Sequence, residues 1–371
     1  MIKDIHITDL NTFTGCSRRW DWQSTLRRGL QRAIIPEPLF TGLAVHTGLD
    51  AYHSNGESVY RAVATARAWM KKRIVSVVDR TGDMWDDERE MINTSYRLSL
   101  GMLKHYHLWH SDHRLSEKWE VISTEQLFTV PIPVPQSVLL GMSHNDKIRS
   151  GMYLDHGIWF SNKIQLAGRL DGIIRERSTG DLYPLEFKTA RSLSNTRWVM
   201  RGLQGSAYVY AAQQMYPNVK GMLYRVLRKK SPSMPKPLSR GGYSQAKNQD
   251  TSFRYFKHYL RLEAASTGQD VKELYKDNEV ILRHLHGQPE KFFLERKISK
   301  SPSLLSSAME TIYRYGIQMV DVNVPIFANP GWSTCSGCPF QDPCDLLEMG
   351  MEYEANDLLS AEFAPRTYWE V

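Results

Sequence analysis

Between Gln165 and Thr189 the chain departs from the helical period that dominates much of its length. Gln165-Leu166-Ala167-Gly168-Arg169-Leu170-Asp171-Gly172-Ile173-Ile174-Arg175-Glu176 alternates roughly between apolar and polar positions, which predicts a strand. Ser178-Thr179-Gly180-Asp181 is turn chemistry, and Leu182 to Thr189 reads as the returning strand. The strand-rich region extends over 121–189, with Pro131-Ile132-Pro133-Val134-Pro135 as a breaker. Met222 to Leu227 predicts a core strand and 291–296 another. Helical spacing predicts helices within 9–32, from Gly42 through Tyr52, within 57–110, and at 197–216, 251–285 and 302–320. It returns from Asp345. Arg228 to Asp250, rich in Ser, Pro, Gly and Lys, predicts a basic loop.

The hairpin also carries chemistry. Side chains two apart on a strand share a face, so Glu186 and Lys188 point one way and Phe187 the other. A hairpin of this length can bring Asp171 beside Glu186. Two carboxylates and an ammonium on one face suit phosphodiester hydrolysis. Hard oxygen ligands hold Mg²⁺ or Mn²⁺. The metal acidifies a bound water and neutralises phosphate charge. Lys188 can position that water or stabilise the pentacovalent state as a point charge. The pattern is short, and an ion-paired surface hairpin would share it. Three further features favour the chemical reading: Gly42 and His46 on one helix, Gln204 and Tyr208 one helical turn apart, and Asn329-Pro330-Gly331-Trp332 leading into a group of cysteines.

All four cysteines fall into one arrangement. Cys16 stands near the N-terminus, and Cys335-Ser-Gly-Cys338 with Cys344 lies near the C-terminus. Four thiolates are what one cubane iron–sulfur cluster or one zinc ion needs. Three thiols within ten residues, interrupted by Gly337, Pro339 and Pro343, belong to a loop rather than a core. A metal there would join the two ends of the chain, and closing so long a loop costs entropy only logarithmically in its length.

Composition narrows the classes. With 371 residues and 42% hydrophobic content the chain can bury a large core, as one domain with insertions or as two. Its net charge is +7, but the end from Phe340 carries eight acids (Asp342, Asp345, Glu348, Glu352, Glu354, Asp357, Glu362 and Glu370) against Arg366 alone. The remainder is therefore more basic than the whole, and nucleic acid is the default partner of such a body. No run approaches the ~18 apolar residues of a membrane span. No secretory signal is visible, so a cytoplasmic location is expected. No G-x-x-x-x-G-K-S/T loop is present, so any unwinding falls to a helicase or recombination partner.

With these residues in order, the chain resembles the RecB-like branch of the PD-(D/E)XK nuclease superfamily. More narrowly it resembles the iron–sulfur members, which include AddB-type recombination nucleases, CRISPR-associated nucleases and phage proteins. That family runs from a cysteine to a GxxxH helix, an Asp on a strand, (D/E)xK on the next strand, QxxxY on a helix, and three clustered cysteines. Here these are Cys16, Gly42 with His46, Asp171, Glu186 with Lys188, Gln204 with Tyr208, and Cys335, Cys338 and Cys344. The resemblance implies a restriction-endonuclease-like α/β core, a mixed sheet flanked by helices, with helical insertions and an iron–sulfur clasp joining the chain ends. It implies His46, Asp171, Glu186 and the backbone carbonyl of Phe187 as ligands of Mg²⁺ or Mn²⁺, and Lys188 as the catalytic lysine. It places Gln204 and Tyr208 along the DNA path and a structural 4Fe–4S cluster on the four cysteines. The activity implied is DNA hydrolysis, exonucleolytic on single strands or ends, in a bacterial or phage-infected cell. Two alternatives stay open: a DNA-binding or recombination assembly factor with an idle site, and the same nuclease with zinc on its cysteines.

The expected division is an N-terminal helix with the first cysteine (1–35), a helical region with the GxxxH motif (36–120), the nuclease core (121–230), a basic loop and helical insertion (231–310), and a cluster-binding segment with an acidic tail (311–371). Glu125 reads as a strand-borne surface glutamate, and the acidic end as a solvated tail. Arg18, Arg19, Arg27, Arg28 and Arg32 interleaved with Trp20 and Trp22 suit either a strand-binding wall or a helix core with solvated arginines. His105, His107, His110 and His113 read as scattered helix and loop histidines rather than a second metal site.

Overall fold

The computed structural model describes residues 2–32, 37–54, 56–81, 86–193 and 201–366. Its strands are β1 (Lys3–Ile5), β2 (Leu30–Arg32), β3 (Trp119–Pro133), β4 (Met152–Asp155), β5 (Ile158–Glu176), β6 (Leu182–Ala190), β7 (Gly221–Arg228), β8 (Phe293–Ser299) and β9 (Phe363–Pro365). The main helices are α1 (Ile7–Gly15), α2 (Ser17–Gln23), α3 (Glu37–Ser54), α4 (Val59–Thr81), α5 (Asp86–Asp112), α6 (Leu203–Met215), α7 (Phe253–Thr267), α8 (Glu279–His286), α9 (Pro302–Met319), α10 (Gln341–Glu348) and α11 (Glu352–Glu362).

Among the described residues the main sheet has seven strands in the order β1-β5-β6-β7-β8, with β3 and β4 also paired to β5. β6 and β7 run parallel, and β5–β6 and β7–β8 are antiparallel. The sheet is mixed and flanked by helices, as the resemblance implies.

Period-two alternation splits each central strand between two cores. Ile173, Leu182, Met222 and Tyr224 join α1, α6 and α9 on one face. Ile174, Leu185, Phe187, Leu223 and Leu227 join α3, α4 and α5 on the other. A one-residue slip of β6 would move Leu185 and Phe187 out of their core and turn Glu186 into it, so burial on both faces fixes the register.

Several elements differ from the sequence pattern. The helix expected over 9–32 breaks at Cys16, whose extended backbone (φ −162°, ψ 112°) both ends α1 and caps α2. Cys16 presents its sulfur to the backbone N–H of Arg19 at 3.5 Å, and 30–32 form a strand instead. Trp20 and Trp22 are buried, so they cannot stack on bases as a strand-binding wall would need. Arg27 and Arg28 pair with Asp21, Arg18 with Glu348, and Arg32 with Asp342. The acidic end is therefore no solvated tail: it packs Ala355, Leu359 and Phe363 inward and sets carboxylates against N-terminal arginines. The helix predicted at 197–216 lies partly outside the described residues and is seen from Leu203. The strand expected at 291–296 runs over Phe293–Ser299.

β7 sits between β6 and β8, and at Gly221 the β8 backbone comes very close. A Cβ there would lie 2.2 Å from the carbonyl oxygen of Ile298, and backbone cannot swing away as a side chain can. Gly221→Ala is expected to destabilise the protein by about 1–3 kcal/mol, read as a lower midpoint in urea unfolding with an unchanged slope. An unchanged midpoint would show that the β7–β8 pairing yields freely.

Candidate active site

The β5–β6 ladder runs from Arg175↔Leu182 to Gly172↔Leu185. Beyond that pair β6 continues beside β7, from Leu185↔Leu223 to Ala190↔Arg228. The Asp171 carboxylate takes the place of the next ladder bond: the backbone N–H of Phe187 donates to its Oδ2 at 2.6 Å. The other oxygen, Oδ1, lies 3.3 Å from Nδ1 of His46 on α3. One turn before His46, Gly42 brings the helix to β6; a Cβ at that position would sit 3.3 Å from Oγ1 of Thr189.

On the strand face opposite Phe187, Lys188 Nζ contacts Glu186 Oε1. Gln204 of α6 bridges the two. Its Oε1 accepts from Lys188 Nζ at 3.0 Å, and its Nε2 donates to Glu186 Oε1 at 3.2 Å and to the Tyr208 hydroxyl at 3.1 Å. The i, i+4 spacing of Gln204 and Tyr208 thus becomes a contact on one helix face.

Glu186 is buried, and Asp171 and Lys188 are largely so. Burial lifts the Glu186 carboxyl to about 7; Lys188 opposes that rise and Asp171 adds to it. Burial also works to lift Asp171, but His46, the Phe187 N–H and Lys188 hold it below the usual carboxylate range. For His46 and Lys188 burial opposes the cation, and the facing carboxylates outweigh it and hold both above their ordinary values. The site therefore sets a carboxylate whose charge is well met, Asp171, beside a buried one whose charge is only partly met, Glu186. An imidazole nitrogen and hard carboxylate oxygens are a fitting donor set for Mg²⁺ or Mn²⁺.

The sequence pattern of the PD-(D/E)XK nuclease superfamily matches residues 6–345. The chain belongs to that superfamily. Membership implies metal-dependent nuclease activity on DNA with a divalent ion as cofactor. No curated protein matches the chain. Among the described residues no helix is long and apolar enough to cross a membrane.

The structure brings His46, Asp171, Glu186, Lys188, Gln204 and Tyr208 of this PD-(D/E)XK chain together, with Phe187 buried behind them. It corrects the reading of Glu125. The β3–β5 register, with Thr124↔Gly172 and Gln126↔Leu170, sets Glu125 opposite Asp171. Glu125 has φ +48°, rare for a non-glycine residue, and it pairs with Arg169 at 2.6 Å. Burial, with Asp171 next, lifts its carboxyl to about 7. It is a half-buried neighbour of the site, and only the long-range β3–β5 pairing reveals it.

The four cysteines line one cavity of ≈ 480 Å³ together with Arg18 and Phe327. Burial lifts the Cys338 thiol above its ordinary range, and Cys16 and Cys335 add to that rise. Arg18 Nη1 reaches Cys344 Sγ at 3.4 Å. The chain ends meet through protein contacts as well: the Arg18 backbone N–H donates to the Phe327 carbonyl at 3.0 Å, and Trp22 packs on Phe340 with ring centroids 5.3 Å apart.

The buried charge of Glu186 has a measurable consequence. A carboxyl whose pKa is raised on folding contributes stability that is full below its unfolded value, 4.5, and lost as pH rises through about 7. In EDTA, Glu186→Gln is therefore expected to melt higher than wild type at pH 8, with the gap shrinking toward pH 5. A variant that is less stable at pH 8 would show that the Lys188 and Gln204 contacts outweigh the cost of burial.

Proposed function

We propose that the chain is a divalent-metal-dependent deoxyribonuclease, an exonuclease acting on single-stranded DNA or DNA ends, with a structural 4Fe–4S cluster on Cys16, Cys335, Cys338 and Cys344. The observation that carries the nuclease reading is the meeting of Asp171, Glu186 and Lys188 where β5 and β6 part. His46, Asp171, Glu186 and the Phe187 carbonyl would hold Mg²⁺ or Mn²⁺. When bound, that ion makes a water more acidic and draws negative charge from the phosphate.

The chain's own residues do the rest. Lys188 sets a point charge where the phosphorane develops negative charge or where the attacking water must sit. Gln204 keeps Lys188 and Glu186 in one orientation, so neither must reorganise when substrate arrives. Tyr208, tied to Gln204, extends the same face toward the DNA strand. The Asp171 bond to the Phe187 N–H keeps the strands apart and leaves Oδ1 directed at His46.

For the cysteines, their convergence on one cavity supports a shared metal centre, and the family resemblance makes an iron–sulfur cluster the reading of it. N–H and guanidinium contacts to sulfur, from Arg19 and Arg18, are of the kind that stabilise cluster thiolates.

Protein purified without oxygen is expected to be brown and to yield iron and acid-labile sulfide, both lost in Cys335→Ser. A colourless wild type holding one zinc ion would replace the cluster with zinc.

End-labelled single- and double-stranded DNA, incubated with cluster-loaded protein and Mg²⁺ or Mn²⁺, is expected to be shortened from an end, while circular single-stranded DNA survives. Lys188→Ala should lose about 10²–10³-fold in cleavage rate and keep its affinity for DNA. A cut circle would make the enzyme an endonuclease. Wild-type protein that binds DNA but cuts none of these substrates would leave an idle-site binding factor.

A further inference from the structure

The histidines at the end of α5 that the nuclease site leaves over have different surroundings. His105 Nε2 is 3.0 Å from Ser252 Oγ, His107 Nδ1 is 3.1 Å from the Tyr52 hydroxyl, and His113 Nδ1 is 2.8 Å from the Trp109 carbonyl. Those three are dispersed, as the sequence suggests. His110 instead meets His53 of α3 and Glu57 in the turn after α3. Each offers one ligand atom, and the three atoms lie within 4.8 Å of one another.

His53 is 7% exposed and His110 2%, yet Nδ1 of each has no hydrogen-bond partner among the described residues. Buried polar nitrogens are nearly always satisfied, so two orphans in one cluster call for a ligand. His110 Nδ1 lies 3.6 Å from Glu57 Oε2, too far for a hydrogen bond. That spacing is close to the roughly 3.4 Å between two ligands of one tetrahedral zinc ion, each ~2.1 Å from it. The other nitrogen of His53 is already used: Nε2 lies 2.9 Å from the Tyr106 hydroxyl, which accepts from Arg225 Nη1 at 3.0 Å. An outer partner on one ring nitrogen, with the second left free, is how metal-bound histidines are oriented.

We propose that His53, Glu57 and His110 form a second divalent-metal site, for a zinc-class transition-metal ion that ties the turn after α3 to α5. Two imidazoles and one carboxylate suit Zn²⁺, Co²⁺ or Ni²⁺ better than Mg²⁺, which takes oxygen ligands. The nearby Arg225 guanidinium is met by Glu295 at 3.0 Å, and Glu57 adds a second carboxylate. Burial, with Arg225 next, keeps both imidazoles neutral, the ligating form. Tyr52, Tyr106 and Phe187 wall the cluster, and the Glu57 side chain, 30% exposed, is its opening to solvent. So enclosed an ion would be structural, and the proposal stands apart from the nuclease reading.

The test compares full-length proteins that all carry Glu186→Gln, which weakens the nuclease centre and leaves the cysteines unchanged. Bound zinc is counted after equilibrium dialysis against a series of free Zn²⁺ concentrations, and melting is followed with and without Zn²⁺. Adding Glu57→Gln or His110→Gln is expected to remove one zinc equivalent, to weaken that binding by about tenfold or more, and to abolish the zinc-dependent rise in melting temperature. Glu57 is part-exposed, so Glu57→Gln should fold as its parent does in EDTA and carries the test even if His110→Gln does not. Equal stoichiometry and affinity in Glu57→Gln and its parent would overturn the site.

Discussion

The hydrogen bond from the Phe187 N–H to Asp171 Oδ2 substitutes a carboxylate for a strand ladder at the centre of the sheet. Two strands of a regular hairpin would leave no space between them. Here β5 and β6 part after Gly172↔Leu185, and the N–H that loses its ladder partner would be left buried at a cost of about 1–3 kcal/mol. Asp171 removes that cost and is fixed by doing so, because only one of its oxygens remains for His46. Glu186, the residue before the satisfied N–H, is then held close to Asp171 with little water around it. Burial opposes the Glu186 charge most and Asp171 adds to that cost, and Lys188 offsets only part of the sum. The fold accepts an unfavourable arrangement that a bound dication would relieve, which is how functional sites commonly differ from the rest of a core.

The N- and C-terminal segments meet through protein contacts. β2 pairs with β9, and Phe340 stacks on Phe363 with ring centroids 4.6 Å apart. Arg366 reaches Asp9 at 3.1 Å, and the Arg32 guanidinium donates to the Pro339 carbonyl at 2.9 Å. These contacts bring Cys16 to the wall of the same cavity as Cys335, Cys338 and Cys344. A metal centre there would share with this packing the cost of closing so long a loop.

Local chemistry was legible in the sequence wherever the decisive neighbours are close along the chain. The β5–β6 hairpin follows from alternation and a Thr-Gly turn, and Glu186 and Lys188 share a face because strands have period two. Gln204 and Tyr208 share a face because helices have i, i+4 neighbours. What stayed hidden depends on long-range pairing. Glu125 looks like any polar strand residue until β3 is laid on β5 in register and sets it opposite Asp171. The N-terminal arginines look solvated until the acidic end folds back onto them. His110 looks like one of four similar histidines until α5 packs on α3 and His53 becomes its neighbour.

One helix connects these features mechanically. His46 and His53 are seven residues apart on α3, two turns, and so lie on nearly the same face. Both rings meet Phe187: His46 edge-on with centroids 6.2 Å apart, His53 stacked at 5.7 Å. Phe187 is in turn held through its backbone by Asp171. A slide of α3 by one residue, about 1.5 Å, would move both imidazoles off Phe187 and His46 away from Asp171. Gly48, between them, opposes such a slide. A Cβ there would lie 2.4 Å from Leu103 Cδ1, so α3 is seated against α5 at a contact that a side chain could enter only by displacing Leu103. The geometry of the site on one face of β6 therefore depends on packing on the other, with Phe187 as the part common to both.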